Sequence, residues 1–248
     1  LAKEFLKKRL KDEYLFLIVD AKYIKITPES KRKVPCIFCM GIREDLSYEV
    51  IYFKIVRGEN EINYTNFFFD LREKGLEGNN LKMLVCDGKK SISNAFLFVY
   101  PNKDIQICSV HYVREALRYV KDKRNLWFLR KEIYKLYKSK SREDFLKNLN
   151  NLKSRYFDKE PKFFKILLKD IEDTLNFYKY PNKYHSLIIS TNLLERFNRD
   201  VEQLTRYWAG FRDVDSANRV IYLLVERFNR NNNKSRRGYS LYNFTHFS

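Results

Sequence analysis

The chain has 248 residues, with 49 Lys and Arg against 31 Asp and Glu, and so a formal net charge of +18. A hydrophobic fraction of 44% supplies a core for one large domain or two interlocked ones. A mean hydropathy of −0.54, with no apolar run near the ~18 residues of a spanning helix, argues against a membrane protein. Basic charge spread along the whole chain repels itself on folding and points to a polyanionic partner, nucleic acid first. Four cysteines are too few for a disulfide scaffold, which predicts a reducing cytoplasm. The opening residues are too charged for a signal peptide, and without an initiating Met the chain reads as a fragment lacking its N-terminal part.

Tyr14 to Val19 is an unbroken apolar run, the pattern of a strand covered on both faces, and it ends in Asp20. Val34 to Ile42 and Tyr48 to Val56 are two further strands, and the polar Arg43-Glu44-Asp45-Leu46-Ser47 between them predicts an antiparallel hairpin. Cys36 and Cys39 have half the spacing of a zinc site. They fall inside a strand, however, where residues three apart face opposite ways, so both read as buried small hydrophobes. Asn63 to Glu73 reads as a helix stopped by Gly75 and Gly78. Lys82 to Cys86 is a short strand running into Asp87-Gly88, a helix spans about Lys90 to Val99, and Asp104 to Cys108 is a fifth strand. A three-strand meander, a helix, a strand, a helix and a strand is the order of a ribonuclease H-like fold. Periodicity alone leaves this as one α/β arrangement among several.

The texture changes at Ser109, beyond which no glycine occurs before Gly210. Ile133-Leu136-Tyr137 and Phe164-Leu167-Leu168-Ile171 repeat at helical spacing. Residues 1–108 are therefore expected to form the first part of an α/β domain, and 109–185 an all-helical insertion. Residues 186–230 complete the domain with helices at about Thr191–Tyr207 and Asp213–Asn229, and the polar 231–248 is expected to be a loose tail. Trp127 and Trp208 read as core side chains, with stacking on an unpaired base as the alternative.

Asp20 and Asp87 each follow a strand, and either alone reads as a turn residue or helix cap. Their joint placement says more. If the two strands are parallel neighbours, both carboxylates emerge at one sheet edge, and like charges that close need a cation between them. Glu195 lies nearly opposite a helical stripe of Leu193, Phe197, Val201 and Leu204, and by itself reads as part of a solvated face. Cys108 and His111 have a zinc-like spacing, but no second pair completes four ligands.

Taken in order, several segments resemble the Mutator-like transposases of bacterial and archaeal insertion sequences, which are DDE enzymes. They are Val19-Asp20-Ala21-Lys22-Tyr23, Val34-Pro35, Leu71-Arg72-Glu73-Lys74-Gly75-Leu76, Leu84-Val85-Cys86-Asp87-Gly88, Val99-Tyr100-Pro101, Cys108-Ser109-Val110-His111 and Thr191-Asn192-Leu193-Leu194-Glu195-Arg196-Phe197-Asn198. Each is weak singly; their order is specific, and it covers about residues 14 to 225. Ser91 and the Tyr64/Phe67 pair depart from the family's glycine and tryptophan.

The resemblance implies a ribonuclease H-like catalytic region with a helical insertion before its last acid. It implies the triad Asp20, Asp87 and Glu195, with Cys108 and His111 beside it; Asn192, one turn before Glu195, is placed to orient it or to contact a phosphate. The expected cofactor is two Mg²⁺ (or Mn²⁺) ions, bridged by Asp20, that drive cleavage at transposon ends and joining to target DNA without a covalent intermediate. The expected partners are double-stranded DNA and a second copy of the chain, acting at the nucleoid of a prokaryotic cytoplasm. Arg114, Arg118, Arg196 and Arg199 are candidate phosphate contacts. A structure-selective nuclease and a domesticated DNA-binding regulator are the rival readings.

Overall fold

The longest strand, β1 (Tyr14–Lys25), carries the apolar run Phe16–Val19, which is fully buried in the computed structural model. The structure describes residues 1–26, 33–207 and 210–235. β2 (Lys33–Arg43) and β3 (Tyr48–Ile55) follow β1 as an antiparallel meander. β4 (Met83–Cys86) and β5 (Asp104–Ile107) add in parallel on the other side, giving the order β3-β2-β1-β4-β5. This is the ribonuclease H-like topology that the element order predicts. The expected hairpin forms, with Leu46 at a left-handed φ of 68° and the Ser47 N–H donating to Asp45 Oδ1 at 2.8 Å.

Strand alternation divides the core in two. Phe16, Ile18, Cys36, Phe38 and Met40 share one face, and Leu17, Val19, Ile37 and Cys39 the other. Cys36 and Cys39 thus point apart, as their strand spacing predicts. The second face is covered by α2 (Glu61–Glu73) and α3 (Lys90–Val99), through Phe67, Phe68 and Phe96. On the first face lie α4 (Ser109–Leu117), α5 (Lys123–Leu136), α6 (Arg142–Tyr156), α7 (Pro161–Lys169), α8 (Asn182–Ile188), α9 (Asn192–Tyr207) and α10 (Val214–Ser235). A short N-terminal helix, α1 (Ala2–Lys7), places Phe5 5.9 Å from the Phe53 ring and 5.5 Å from that of Tyr222.

A buried side chain of β5 ties the helices between β5 and α9 to the sheet. Gln106 Nε2 donates to the Thr174 carbonyl at 2.7 Å, and its Oε1 accepts from the Phe177 N–H at 2.9 Å. These contacts satisfy backbone groups in two 3₁₀ turns, Ile171–Thr174 and Asn176–Lys179, that would otherwise be buried without partners.

Three expectations are corrected. β1 does not end at Asp20: it stays paired with β2 as far as Lys25, opposite Lys33. The apolar run stops earlier because its other neighbour, β4, ends at Cys86, so the last turnings of β1 have a polar side. Asn231 to Ser235 belong to α10 rather than to a loose tail, and the rest of the expected tail, 236–248, lies outside the described residues. Asparagine and lysine cost well under ~1 kcal/mol each in a helix, and Asn229 anchors the preceding turn by bonding both the N–H and the carbonyl of Val50. Trp127 is 69% exposed, not core. The buried stripe of α5 is Leu129, Ile133 and Leu136, and Trp127 lies off it. Trp208 lies outside the described residues. Among the described residues, no helix is long and apolar enough to cross a membrane.

Candidate active site

The parallel pairing Ile18↔Val85, carried two residues on, brings Asp20 level with Asp87. Side chains alternate along β1, so the Asp20 carboxylate is on the face of Ile18, which is the face covered by α9; Asp87 follows directly on the end of β4. β4 and β5 are paired Cys86↔Ile107, which places Cys108 beside Asp87 in the same way.

Glu195 reaches this edge from the far end of the sequence. Its helix, α9, packs Phe197 edge-on against Phe38 of β2, with ring centroids 5.1 Å apart, and its Glu202 pairs with Lys22 of β1 at 2.7 Å. The segment leading into α9 is held from β5 and α4: Ser109 Oγ donates to the Ile189 carbonyl at 2.9 Å, and the Thr191 N–H donates to Cys108 Sγ at 3.4 Å. Thr191 Oγ1 lies 2.9 Å from Glu195 Oε1 and 3.3 Å from the Cys108 sulfur. A hydroxyl has one proton to give, and the charged carboxylate is the stronger acceptor, so Thr191 orients Glu195 while Cys108 holds Thr191.

His111, in the first turn of α4, stands 3.8 Å from Glu195 Oε1. Its Nδ1 is buried and makes no hydrogen bond. The adjacent Cys108 raises the imidazole pKa most, and Glu195 and Asp20 add to this against desolvation, leaving it at about 9. One ligand atom each from Cys108, His111 and Glu195 lies within 4.8 Å of the others.

Asp20 is pushed up from 3.8 to about 6. Burial is the main cause, the charges of Glu195 and Asp87 add to it, and His111 and the Ala21 N–H oppose it. Asn198, three residues after Glu195 on α9, donates to Asp20 Oδ2 at 2.7 Å and is itself buried, with its Oδ1 unpaired. Asp87 accepts from the Lys89 N–H at 3.1 Å, and the Lys89 ammonium is 3.4 Å from its other oxygen. Lys89 also pairs with Glu59, whose side chain is only 8% exposed and which accepts from Tyr64 Oη at 3.0 Å.

The donors at Asp20, Asp87 and Glu195 are carboxylate oxygens, the ligand chemistry of a hard divalent cation. Burial is the main reason the Asp20 carboxyl is raised, and the Glu195 and Asp87 charges add to it; a divalent cation among the three would relieve that added repulsion. The Cys108–His111–Glu195 set suits a softer ion, but the Cys108 sulfur is buried and engaged with Thr191.

The remaining predicted residues are dispersed. Arg114 and Arg199 are exposed, each about one turn beyond a site residue, His111 and Glu195 respectively. Arg118 pairs with Glu115 at 2.6 Å. Arg196 lines a groove between α9 and α10 with Arg227 and Phe228. Asn192 follows the Ser190–Thr191 bend, and it is Thr191 rather than Asn192 that contacts Glu195. Thr191, Asn198, Glu59 and Lys89 were not anticipated. Helical spacing would have found Asn198 and Thr191, three and four residues from Glu195, whereas Glu59 sits between Gly58 and Asn60 and reads as a turn.

The sequence pattern of the family described as Transposase, Mutator family, matches residues 1–235. The transposase for insertion sequence element IS256 in transposon Tn4001 of Staphylococcus aureus is 31% identical over 212 residues, 84% of this chain and 53% of that protein. The transposase for insertion sequence element ISRM5 of Rhizobium meliloti is 25% identical over 230 residues, 92% of this chain and 57% of that one. The chain thus spans about half the length of the curated relatives it matches. The catalytic domain of Mos1 mariner transposase overlaps 63% of the chain at 10% identity, with a TM-score of 0.27, and superposes too loosely to add to these matches. On the extent of the family match and the level of identity to its relatives, this chain belongs to the Mutator family of transposases.

Proposed function

We propose that the chain is the catalytic part of a DNA transposase, cleaving transposon-end DNA and joining it to target DNA at a site built from Asp20, Asp87 and Glu195. The observation that supports this reading is that Asp87 and Glu195, 67 and then 108 residues further along the sequence, lie near enough for their charges to act on the buried Asp20 in a Mutator-family chain. Bound divalent ions, two in the arrangement proposed, supply an activated nucleophile and charge stabilisation on the leaving oxygen in an in-line displacement at phosphorus. Asp20, Asp87 and Glu195 would together hold the ions. Asn198 fixes one Asp20 oxygen. Thr191 aims Glu195, and Cys108 and His111 shape the edge beside it.

DNA phosphates are the polyanion that the +18 charge supports. Of the arginines, Arg114 and Arg199 are the better placed to meet a strand entering this edge, with Arg118 and Arg196 contributing more remotely. A pair of copies would present two transposon ends together, and work on DNA places the protein at the nucleoid.

The test is strand joining by a full-length transposase containing this chain. With Mg²⁺ or Mn²⁺, a pre-cleaved transposon end is expected to be joined to a second duplex, and Asp87→Ala to abolish both cleavage and joining. Efficient hydrolysis across varied ends and metals, with no joined product, would replace the reading with a nuclease.

A further inference from the structure

Next to the carboxylate edge lies a further acidic side chain that the mechanism above does not use. Glu59, in the loop between β3 and α2, is almost wholly enclosed: Tyr64 Oη donates to it at 3.0 Å, and the Tyr23 side chain stands beside it. A phenol solvates a buried carboxylate but does not neutralise it, and a buried charge left without a countercharge is costly. Lys89 provides that charge. Its ammonium is closer to Glu59 than to Asp87, where it stands 3.4 Å from Oδ2. Lys89 is also the residue preceding α3, with its own N–H on Asp87 Oδ1, so its backbone is tied to the carboxylate that its side chain shares. One flexible cation therefore bridges a firm anchor, Glu59, and a looser one, Asp87.

We propose that Lys89 is a tethered stand-in cation for the active site. In the ion-free protein its ammonium neutralises Asp87. When a divalent ion takes that carboxylate, Glu59 retains the ammonium at the rim, where it meets a phosphate oxygen of the bound DNA. Lys89 is then a substrate contact in the working state, and Glu59 is the residue that positions it. The proposal rests on the reading of Asp20, Asp87 and Glu195 as the ion-binding set.

The two roles give opposite signs in one measurement. Mn²⁺ binding to the 248-residue chain, followed by calorimetry without DNA, should tighten about two- to five-fold in Lys89→Met, the range of a partly exposed ion pair. It should weaken in Glu59→Gln, because Lys89 then rests on Asp87 alone. In the double variant the Glu59→Gln effect should largely vanish. Lys90→Met, one residue along on the exposed start of α3, controls for the mere loss of a nearby positive charge. With DNA, Lys89→Met should lower the salt slope of duplex binding by about one in Ca²⁺ and leave it unchanged in EDTA. Equal effects of Lys89→Met and Lys90→Met on Mn²⁺ affinity would overturn the clamp, as would a salt slope that drops in EDTA too. Wild-type protein whose Mn²⁺ binding is absent, or indifferent to Asp87→Ala, would instead overturn the ion-binding set on which the clamp rests. Lys89 is half exposed, so its variants fold whether or not Glu59→Gln does.

Discussion

Replacing Asp20 by Asn should make the ion-free protein more stable, and only at neutral and alkaline pH. Asp20 has a folded-state pKa of about 6 against an ordinary 3.8, chiefly because it is buried, with Glu195 and Asp87 beside it. A carboxyl raised on folding contributes stability fully below its unfolded pKa, and the contribution is lost as pH rises through the folded value. Above pH 6 the charged Asp20 therefore costs the fold up to about 3 kcal/mol. Asparagine keeps the shape and can still accept the hydrogen bond from Asn198, so the substitution removes the charge without opening a cavity. For a chain of this size each kcal/mol shifts Tm by roughly 2–4 °C, which sets an upper bound of roughly 10 °C on the gain. Thermal unfolding in EDTA from pH 4 to pH 8 measures it. The wild type and Asp20→Asn should coincide near pH 4 and separate above pH 6. Adding Mn²⁺ should close the gap by stabilising only the wild type. A variant less stable than the wild type at pH 8, or a difference that ignores pH, would refute the crowding of Asp20 by burial and like charge.

His111 contributes in the same direction. Its folded pKa of about 9 is raised mainly by Cys108, so the stability it supplies is complete below 6.5 and fades as pH climbs through 9; His111→Gln should flatten wild-type stability between pH 7 and pH 10. Gln106→Leu should cost on the order of 2–4 kcal/mol in denaturant unfolding, because it strands the buried Thr174 carbonyl and Phe177 N–H together. Gly41→Ala should cost at least ~1–3 kcal/mol in the same assay, since the new Cβ would stand 2.4 Å from the Tyr14 ring. Duplex DNA affinity should fall steeply with salt, as expected for counterion release, and Asp20→Asn should leave it intact or tighten it; affinity indifferent to salt would assign the +18 charge another purpose.

The sheet was legible because its strands are buried on both faces, so Tyr14–Val19 and Lys82–Cys86 stand out as apolar runs against a strongly charged background. The same cue misplaced the end of β1. An apolar run records where both neighbours and both layers cover a strand, whereas pairing with β2 continues past that cover to Lys25. The parallel neighbourhood of β1 and β4 was open in the residues alone and closed by the topology. Glu195 illustrates the limit of periodicity. Its helix face is unremarkable in sequence, and the contacts that aim it, from Thr191 and through it from Cys108, join segments 83 residues apart. Trp127 was misjudged because aromatic residues are usually core, yet the α5 stripe of Leu129, Ile133 and Leu136 leaves it outside. Glu59 carried no signal at all, since its partners come from β1, α2 and the turn before α3.

The central claim is that Asp20, Asp87 and Glu195 act together as a divalent-ion site. Anomalous diffraction at the manganese edge from crystals soaked in Mn²⁺ tests it most directly. The account predicts manganese peaks within ~2.0–2.3 Å of carboxylate oxygens of all three residues, with an oxygen of Asp20 shared where two ions bind, and with the Lys89 ammonium withdrawn from Asp87. Manganese bound only at Cys108, His111 and Glu195, or absent from the edge between β1 and β4, would contradict it.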